Sequence, residues 1–388
     1  MIKYNGRCWA EISLDNIAHN AREIRRITRP EAEVMGVVKA DGYGHGAVEV
    51  AHTILGNGVS RLAVSMLDEA IQLRNSGIKA PILILSDVEP LRADEILRYD
   101  ITQTVFTYGF AEILSKKAAE AGKKMKVHIK IDTGMGRVGF ETDEAVEAVR
   151  HISTLPGLEI EGIFTHFAVS DEVDPYTEQQ FVKFCNICDA LEREGIHIPI
   201  RHAANSAAMI RFPHMHLNMV RAGIILYGLH PSAVTRGYDI DLRPAMMLKA
   251  RTSLVKSVPA GTSLSYGCTY RTEKPSMIAT IPVGYADGYP RLLGNKSYVL
   301  MGGKIAPIRG RICMDQCLAD VTGIAHVKTG DEAVLFGEQN GNRISIDDIA
   351  ALAGTVNYEI VCIIGKRVPR QYIENGTTVK ILNYLINQ

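Results

Sequence analysis

Val34-Met-Gly-Val-Val-Lys-Ala-Asp-Gly-Tyr-Gly-His-Gly46 is the stretch around which the rest of the chain is arranged. It opens with an apolar run, Val34 to Val38, short enough for a buried strand. Lys39 follows at once, and then glycines alternate with Tyr43 and His45 in a loop that lets backbones approach closely. A buried strand that ends by delivering a lysine into such a loop is unusual for packing. Its ammonium either snorkels to water or is put to use. The use that fits is a Schiff base: a desolvated amine is a nucleophile toward a carbonyl such as that of pyridoxal phosphate.

Working outward, strand-like runs recur at Arg61–Ser65, Pro81–Leu85, Thr102–Phe106, Lys126–Asp132, Leu158–His166, Ile198–Ala203 and Asn218–Arg221. Helical patterns lie between them, among them Ala47–Leu55, Leu67–Asn75, Ala111–Ala121 and a long one from Pro175 to Gly195. A first helix, capped by Ser13 or Asp15, runs to about Thr28. Eight strands alternating with helices predict an α/β fold, a (β/α)8 TIM-type barrel over residues 12–244. No G-x-G-x-x-G opens a helix after the first strand, which argues against a doubly wound dinucleotide fold. Near Pro244 the style changes to short alternating strands with glycine turns, including Leu248–Val258 and Tyr358–Gly365, and one capped helix at Ser345–Leu352. This predicts a mainly β C-terminal domain, 245–388, joined by the N-terminal segment 1–11.

Composition excludes several classes of function. The 388 residues are 46% hydrophobic and 22% charged, enough for a large core, and the formal net charge is zero. No basic field is present to attract nucleic acid or an anionic membrane. No apolar run is long enough to span a bilayer, and the first residues lack the apolar core of a signal peptide. Seven scattered cysteines read as reduced thiols of a cytoplasmic protein. Cys185 and Cys188, His214 and His216, and Cys313 and Cys317 are close pairs, but none has a second pair at zinc spacing, so no metal is expected.

In a barrel, chemistry gathers at the C-terminal ends of the strands. Lys39, Lys130, His166, His202 and Arg221 fall at or near those ends. Asn205-Ser206 and Arg221-Ala-Gly223-Ile224 stand after the seventh and eighth strands, where barrels bind phosphate on backbone N–H groups. Asn205-Ser206 alone would read as an ordinary helix cap. Arg221 ends an apolar strand, where an unpaired charge is costly. It either makes a salt bridge across the barrel mouth or donates to a pyridine nitrogen. An arginine keeps its proton, so a ring nitrogen facing it stays unprotonated and the ring is a weaker electron sink than one facing a carboxylate. That suits prompt reprotonation of Cα. Arg137 can form a bidentate pair with a carboxylate, and Lys130 lies among alternating apolar residues and should point inward. Removing a proton from one face of Cα and returning it on the other needs two bases. Lys39 is one candidate. Tyr266, in Leu264-Ser-Tyr-Gly-Cys-Thr-Tyr270, is the other, or else merely a turn aromatic.

Lys39-Ala-Asp-Gly-Tyr-Gly-His-Gly46 resembles the cofactor-lysine motif of alanine racemase, a fold-type III pyridoxal-phosphate enzyme. The resemblance extends over essentially the whole chain, with its motifs in the family's order. It implies that Ser206, Gly223 and Ile224 hold the phosphate with hydroxyls from Tyr43 and Tyr358, and that Tyr266 is the second base, supplied by the other subunit of a homodimer. His166 would neighbour both Tyr266 and Arg221. It further implies a carbamylated Lys130 that positions Arg137, a Met314 N–H in the substrate loop Arg309–Asp315, and an access channel narrowed by Tyr285 and Tyr358. The implied reaction is interconversion of L- and D-alanine, the latter for cell-wall peptidoglycan. The alternatives are a sister racemase for serine or a basic amino acid, a decarboxylase of the same architecture, and a non-enzymatic cofactor-binding protein, against which the β domain with Tyr266 and Met314 argues. The decarboxylase would set a carboxylate, not Arg221, against the pyridine nitrogen.

Overall fold

The apolar runs form eight parallel strands: β1 (Glu33–Val37), β2 (Arg61–Val64), β3 (Ile82–Ile84), β4 (Thr102–Val105), β5 (Met125–Asp132), β6 (Leu158–Phe164), β7 (Ile200–His202) and β8 (Met219–Ala222). In this computed structural model, which describes residues 6–386, each strand pairs with the next from β1 to β7, and β8 pairs with β1. The remaining seam, between β7 and β8, is closed by two backbone bonds: Asn218 N–H to Arg201 O at 3.1 Å and Arg221 N–H to Ala204 O at 3.0 Å. Both faces of the strands are covered, so their residues are almost wholly buried. Helices Ala47–Leu55, Leu67–Asn75, Tyr108–Glu120, Ala145–Ser153 and Tyr176–Arg193 turn one stripe inward. In the last of these, Thr177, Gln180, Phe184, Ile187, Cys188 and Leu191 follow a helical period. Pro175 precedes that helix, as expected of a residue with no N–H to satisfy.

The chain divides into two compact units. One comprises Asn16–Gly42 and Ala47–Pro244 and contains the barrel. The other comprises Met1–Asp15, Tyr43–Gly46 and Ala245–Gln388. In this second unit the strand Cys8–Ser13 lies between Met246–Arg251, antiparallel, and Arg370–Glu374, parallel, within an eight-stranded sheet. A smaller antiparallel sheet joins Leu254–Val258, Ser276–Ile281 and Cys317–Asp320. The expected strand Leu248–Val258 is therefore two strands in two sheets.

One expectation fails outright. Tyr358–Gly365, predicted as a strand, begins with an α-helix, Asn357–Cys362. Its buried residues, Asn357, Ile360 and Val361, are spaced i, i+3, i+4, the period of a helix. The β-branched pair Ile360-Val361 suggested a strand, and the helical spacing overrode it. The helix Ile346–Ala353 does start at a capping box: Ser345 Oγ accepts from Asp348 N–H, and Asp348 accepts from Ser345 N–H. No helix among the described residues is long and apolar enough to cross a membrane, and no group of three metal-ligating side chains gathers among them. The seven cysteines are free thiols.

Candidate active site

Lys39 comes two residues after β1, half-buried, where Val38 N–H still bonds to Ala63 O. The loop that follows is a left-handed turn. Ala40, Asp41, Gly42, Tyr43 and Gly44 all have φ between 51° and 78°. Three of these carry a Cβ, at roughly 1–2 kcal/mol each, so the conformation must be imposed from outside. Glu69, in the helix after β2, does part of this. Its Oε1 accepts from Ala40 N–H at 2.6 Å, while its Oε2 accepts from Ser65 and Met66 N–H. Asp41 Oδ1 caps the next helix at Ala47 N–H.

Arg221, in β8, is 4% exposed. Nη1 donates to His202 Nδ1 (3.0 Å) and His202 O (3.2 Å). Nη2 donates to Thr165 O (2.8 Å), Ala203 O (2.9 Å) and His166 Nδ1 (3.3 Å). All five bonds leave from the two terminal nitrogens and none from Nε. Burial pushes the guanidinium down to about 9, so it still holds its proton at neutral pH. The salt bridge expected as one reading is absent: no carboxylate pairs with Arg221 among the described residues. His166 and His202 are both held well below the ordinary histidine value, by burial first and by the Arg221 charge second, and are neutral.

Because Arg221 donates to His202 Nδ1, the proton of that ring sits on Nε2, which faces His128 Nδ1 at 2.9 Å. His128 in turn donates from Nε2 to Glu161 Oε2 at 3.1 Å, and Glu161 is held by Arg61 (2.9 Å) and Lys126 (3.1 Å). A chain of hydrogen bonds thus runs through the barrel from Arg221 to Glu161. Phe164 stacks on His202 and lies beneath both Arg221 (5.3 Å) and Lys130 (5.7 Å).

Lys130 points inward, 3% exposed, and donates to Ile131 O and Val138 O. Burial, the largest cause, pushes it down to about 8. Two residues on, Asp132 gathers four backbone N–H groups. Oδ1 accepts from Gly134, Met135 and Gly136, and Oδ2 accepts from Arg137. Burial opposes its ionisation, but these bonds win and hold its carboxyl below the usual value. The turn presents Arg137 exposed, with no ion pair to its side chain among the described residues.

Ser206 and Gly223 meet: Gly223 N–H donates to Ser206 Oγ at 2.9 Å. Asn205 caps the helix Ser206–Arg211 through Ala208 N–H and accepts from Ser170. Ile224 begins a short 3-10 turn immediately after Gly223. These residues share the β7–β8 end of the barrel with Arg221. The donor set suits pyridoxal phosphate: small residues and turn amides for the phosphate, and a buried cation with one N–H uncommitted for the ring nitrogen.

The second unit presents a separate group. Tyr266 (69% exposed) and Met314 (53%) line a recess of about 620 Å³ with Ser265, Cys313, Asp315 and Gln316. Ser265 has φ 62° and ψ −178°, a conformation costly for any residue with a side chain. Its hydroxyl is anchored on Arg311 O at 2.5 Å and lies 3.4 Å from Cys313 Sγ. Tyr285 joins this loop through the bonds Tyr285 N–H to Cys313 O and Ala286 N–H to Met314 O. Tyr43 and Tyr358 lie together, ring centroids 6.2 Å apart, and burial raises the Tyr43 hydroxyl far above its ordinary value, keeping it a donor.

Sequence reading passed over Glu69, His128, Asp132, Glu161, Phe164 and Ser265. Asp132 had a signal, an aspartate opening Asp-Thr-Gly-Met-Gly. His128 and Glu161 had only their inward alternation, and Ser265 had none.

Comparison with known proteins identifies the family. Residues 12–231 match the family model for the N-terminal domain of alanine racemase, and residues 245–372 match that for its C-terminal domain. The chain is 50% identical to the alanine racemase of Clostridium perfringens (strain SM101 / Type A) over 97% of this chain and 98% of that one. It is 50% identical to the alanine racemase of Methanococcus maripaludis over 94% and 98%. Among solved structures, alanine racemase from Clostridium difficile 630 superposes with a TM-score of 0.93 at 41% identity, covering 99% of this chain and all of that one. Alanine racemase from Bacillus anthracis with bound L-Ala-P gives 0.94 at 38%, covering the whole of both. A barrel whose strand ends carry Lys39 and Arg221, followed by a β unit carrying Tyr266, matched over nearly its full length by both domains of one enzyme, belongs to the alanine racemase family and is an amino-acid racemase.

Proposed function

We propose that this enzyme interconverts L- and D-alanine with pyridoxal phosphate held on Lys39, supplying D-alanine for peptidoglycan. The observation that carries the reading is Arg221, a buried, protonated guanidinium with no carboxylate partner and its Nε–H uncommitted. Pyridoxal phosphate, when bound, acidifies the Cα–H of an amino acid joined to it. Arg221 would donate to the ring nitrogen and so leave it unprotonated, which would favour return of the proton to Cα. Asn205, Ser206, Gly223 and Ile224 hold the phosphate, with hydroxyls from Tyr43 and Tyr358. Lys39 takes or gives the Cα proton on one face, and the partner subunit's Tyr266 serves the other in a homodimer. Neutral His166, accepting from Arg221 on Nδ1, carries its proton on Nε2 and donates a hydrogen bond from there. Arg137 pairs with the substrate carboxylate, Met314 N–H adds a donor, and Lys130 as a carbamate steadies Arg137. Tyr285 and Tyr358 narrow the access channel and so favour a methyl side chain.

The test is circular dichroism of L-alanine with the protein and pyridoxal phosphate in D2O, alongside L-serine, L-lysine and L-ornithine. Optical activity should vanish with alanine far faster than with the others. Faster loss with another amino acid would move the substrate assignment. Loss with none, cofactor bound, would overturn the reading and favour a decarboxylase or a non-enzymatic cofactor-binding protein.

A further inference from the structure

Four residues of the lysine motif, Tyr43–Gly46, belong to the second unit, although the chain on both sides of them belongs to the barrel. They are held there closely. A Cβ on Gly44, which has φ +78°, would lie 2.2 Å from Val361 O, and one on Gly46 (φ +93°) would lie 1.8 Å from the Tyr372 hydroxyl. A further hold is a side chain from the other end of the sequence. Arg370 Nε donates to Gly44 O at 2.9 Å.

Arg370 is 1% exposed and is the largest fully buried side chain. Its other donors go to Gly365 O (2.7 Å), Val368 O (2.5 Å) and Ile364 O (2.6 Å). Every hydrogen-bond partner is a backbone carbonyl, the guanidinium also lies over the Tyr384 ring at 5.4 Å, and no carboxylate pairs with it among the described residues. A guanidinium buried without a counter-ion is a poor way to gain stability, since an apolar residue of similar size would avoid the desolvation. What its planar fork supplies is fixed geometry: one group joins Gly44 to the loop 364–368. That loop carries Arg367, whose guanidinium pairs with the fully buried Asp287 (3.0 Å) and with Asp315 (2.7 Å), a wall of the recess that contains Tyr266 and Met314.

We propose that Arg370 is a positioning residue for the cofactor lysine. By fixing Gly44 O it imposes the left-handed turn of Ala40–Gly44, and so sets how Lys39 leaves the end of β1. Within the second unit the same side chain ties Gly44 to the loop 364–368, whose Arg367 pairs with Asp315. The inference rests on Lys39 as the cofactor lysine.

The experiment compares Arg370→Lys, Gly44→Ala, Lys39→Ala and Val334→Ala, the last a core truncation in the same unit that touches none of these groups. Apoenzyme is prepared from each. Pyridoxal phosphate affinity is measured by titration of the visible absorption band, and hydrogen exchange is followed over residues 39–46. Arg370→Lys keeps the charge but cannot span four carbonyls. It should weaken cofactor binding by about tenfold or more, the loss expected for a charged hydrogen bond, and speed exchange in 39–46. Gly44→Ala, whose added Cβ meets Val361 O, should do the same with Arg370 intact, which shows that the turn sets cofactor binding; if Arg370→Lys does not fold, Arg370→Gln is measured in its place. Val334→Ala should lower the melting temperature with cofactor affinity unchanged. Arg370→Lys that loses thermal stability as Val334→Ala does, but binds the cofactor normally and exchanges normally in 39–46, would leave Arg370 a purely structural residue. A normal band in Lys39→Ala would overturn both this inference and the reading it rests on. A lost band there, with normal binding in the other variants, would overturn this inference alone.

Discussion

At the scale of single residues, burial sets the protonation states on which the proposed chemistry depends. Lys130 is the clearest case. Unfolded, its amine keeps a proton up to 10.5; folded, only to about 8. Between these values the unfolded chain binds more protons, so stability rises with pH there, and below about 8 the full cost of the buried ammonium is present. Addition of CO2 consumes the neutral amine, forms an N–C bond and releases a proton, so it also relieves that cost. Adding 13C-bicarbonate near pH 8 should therefore produce a carbamate 13C resonance and raise the melting temperature. Lys130→Met should show neither change. A wild-type spectrum without the resonance would require another anion beside Arg137.

At the scale of elements, short loops after the barrel strands carry the site, and single carboxylates shape them. Asp132 at the end of β5 collects the N–H groups of residues 134–137. Asn in its place keeps one acceptor oxygen and must lose part of this set. A bond to a charged acceptor contributes about 1.5–3 kcal/mol. If that loss falls on the presentation of Arg137, Asp132→Asn should raise KM for alanine by about tenfold or more, with pyridoxal phosphate affinity unchanged. Steady-state kinetics and a cofactor titration separate the two. Weaker cofactor binding with KM intact would place Asp132 on the wrong ligand. Glu69 plays the corresponding part after β1, tying Ala40 to the loop after β2.

At the scale of the whole molecule, the barrel interior is crossed by polar groups that need one another. Glu161 is the anchor: burial raises its carboxyl, but His128, Arg61 and Lys126 together bring it down to about 2 from 4.5. Its contribution is therefore complete above pH 4.5 and is lost as pH falls through about 2. Glu161→Gln should lower stability at pH 7 by an amount on the order of 3 kcal/mol, with the gap closing toward pH 2. Urea unfolding at several pH values measures this, and a pH-independent gap would mean that only packing was lost. The assembly carries the remaining prediction. If each site takes Lys39 from one subunit and Tyr266 from the other, Lys39→Ala and Tyr266→Phe homodimers are each crippled. After unfolding and refolding as a mixture, roughly a quarter of the sites should regain both groups, by random pairing in a two-fold dimer. No recovery beyond the sum of the separate activities would count against a shared site.

Alternating apolar strands and helices spelled out the eight-stranded barrel, and Lys39 and Arg221 stood out as charges at the ends of apolar strands, whereas Tyr266 was marked only by its resemblance to the family's motif. Local pattern carries such information because strand and helix periods are properties of neighbouring residues. The same kind of reading mistook the helix Asn357–Cys362 for a strand, since β-branched residues fit both and only packing selects between them. What lay beyond reach were pairings made across long separations. His202 to His128 to Glu161, Ser206 to Gly223, and Arg370 to Gly44 across 326 positions join groups whose own segments carry no mark of the partner. The sequence by itself determined the barrel, its order of strands and the candidate residues at their ends. The tertiary structure alone decided the protonation of the histidines and Lys130 and the left-handed turn after Lys39, because desolvation and imposed strain exist only once distant segments have closed around them.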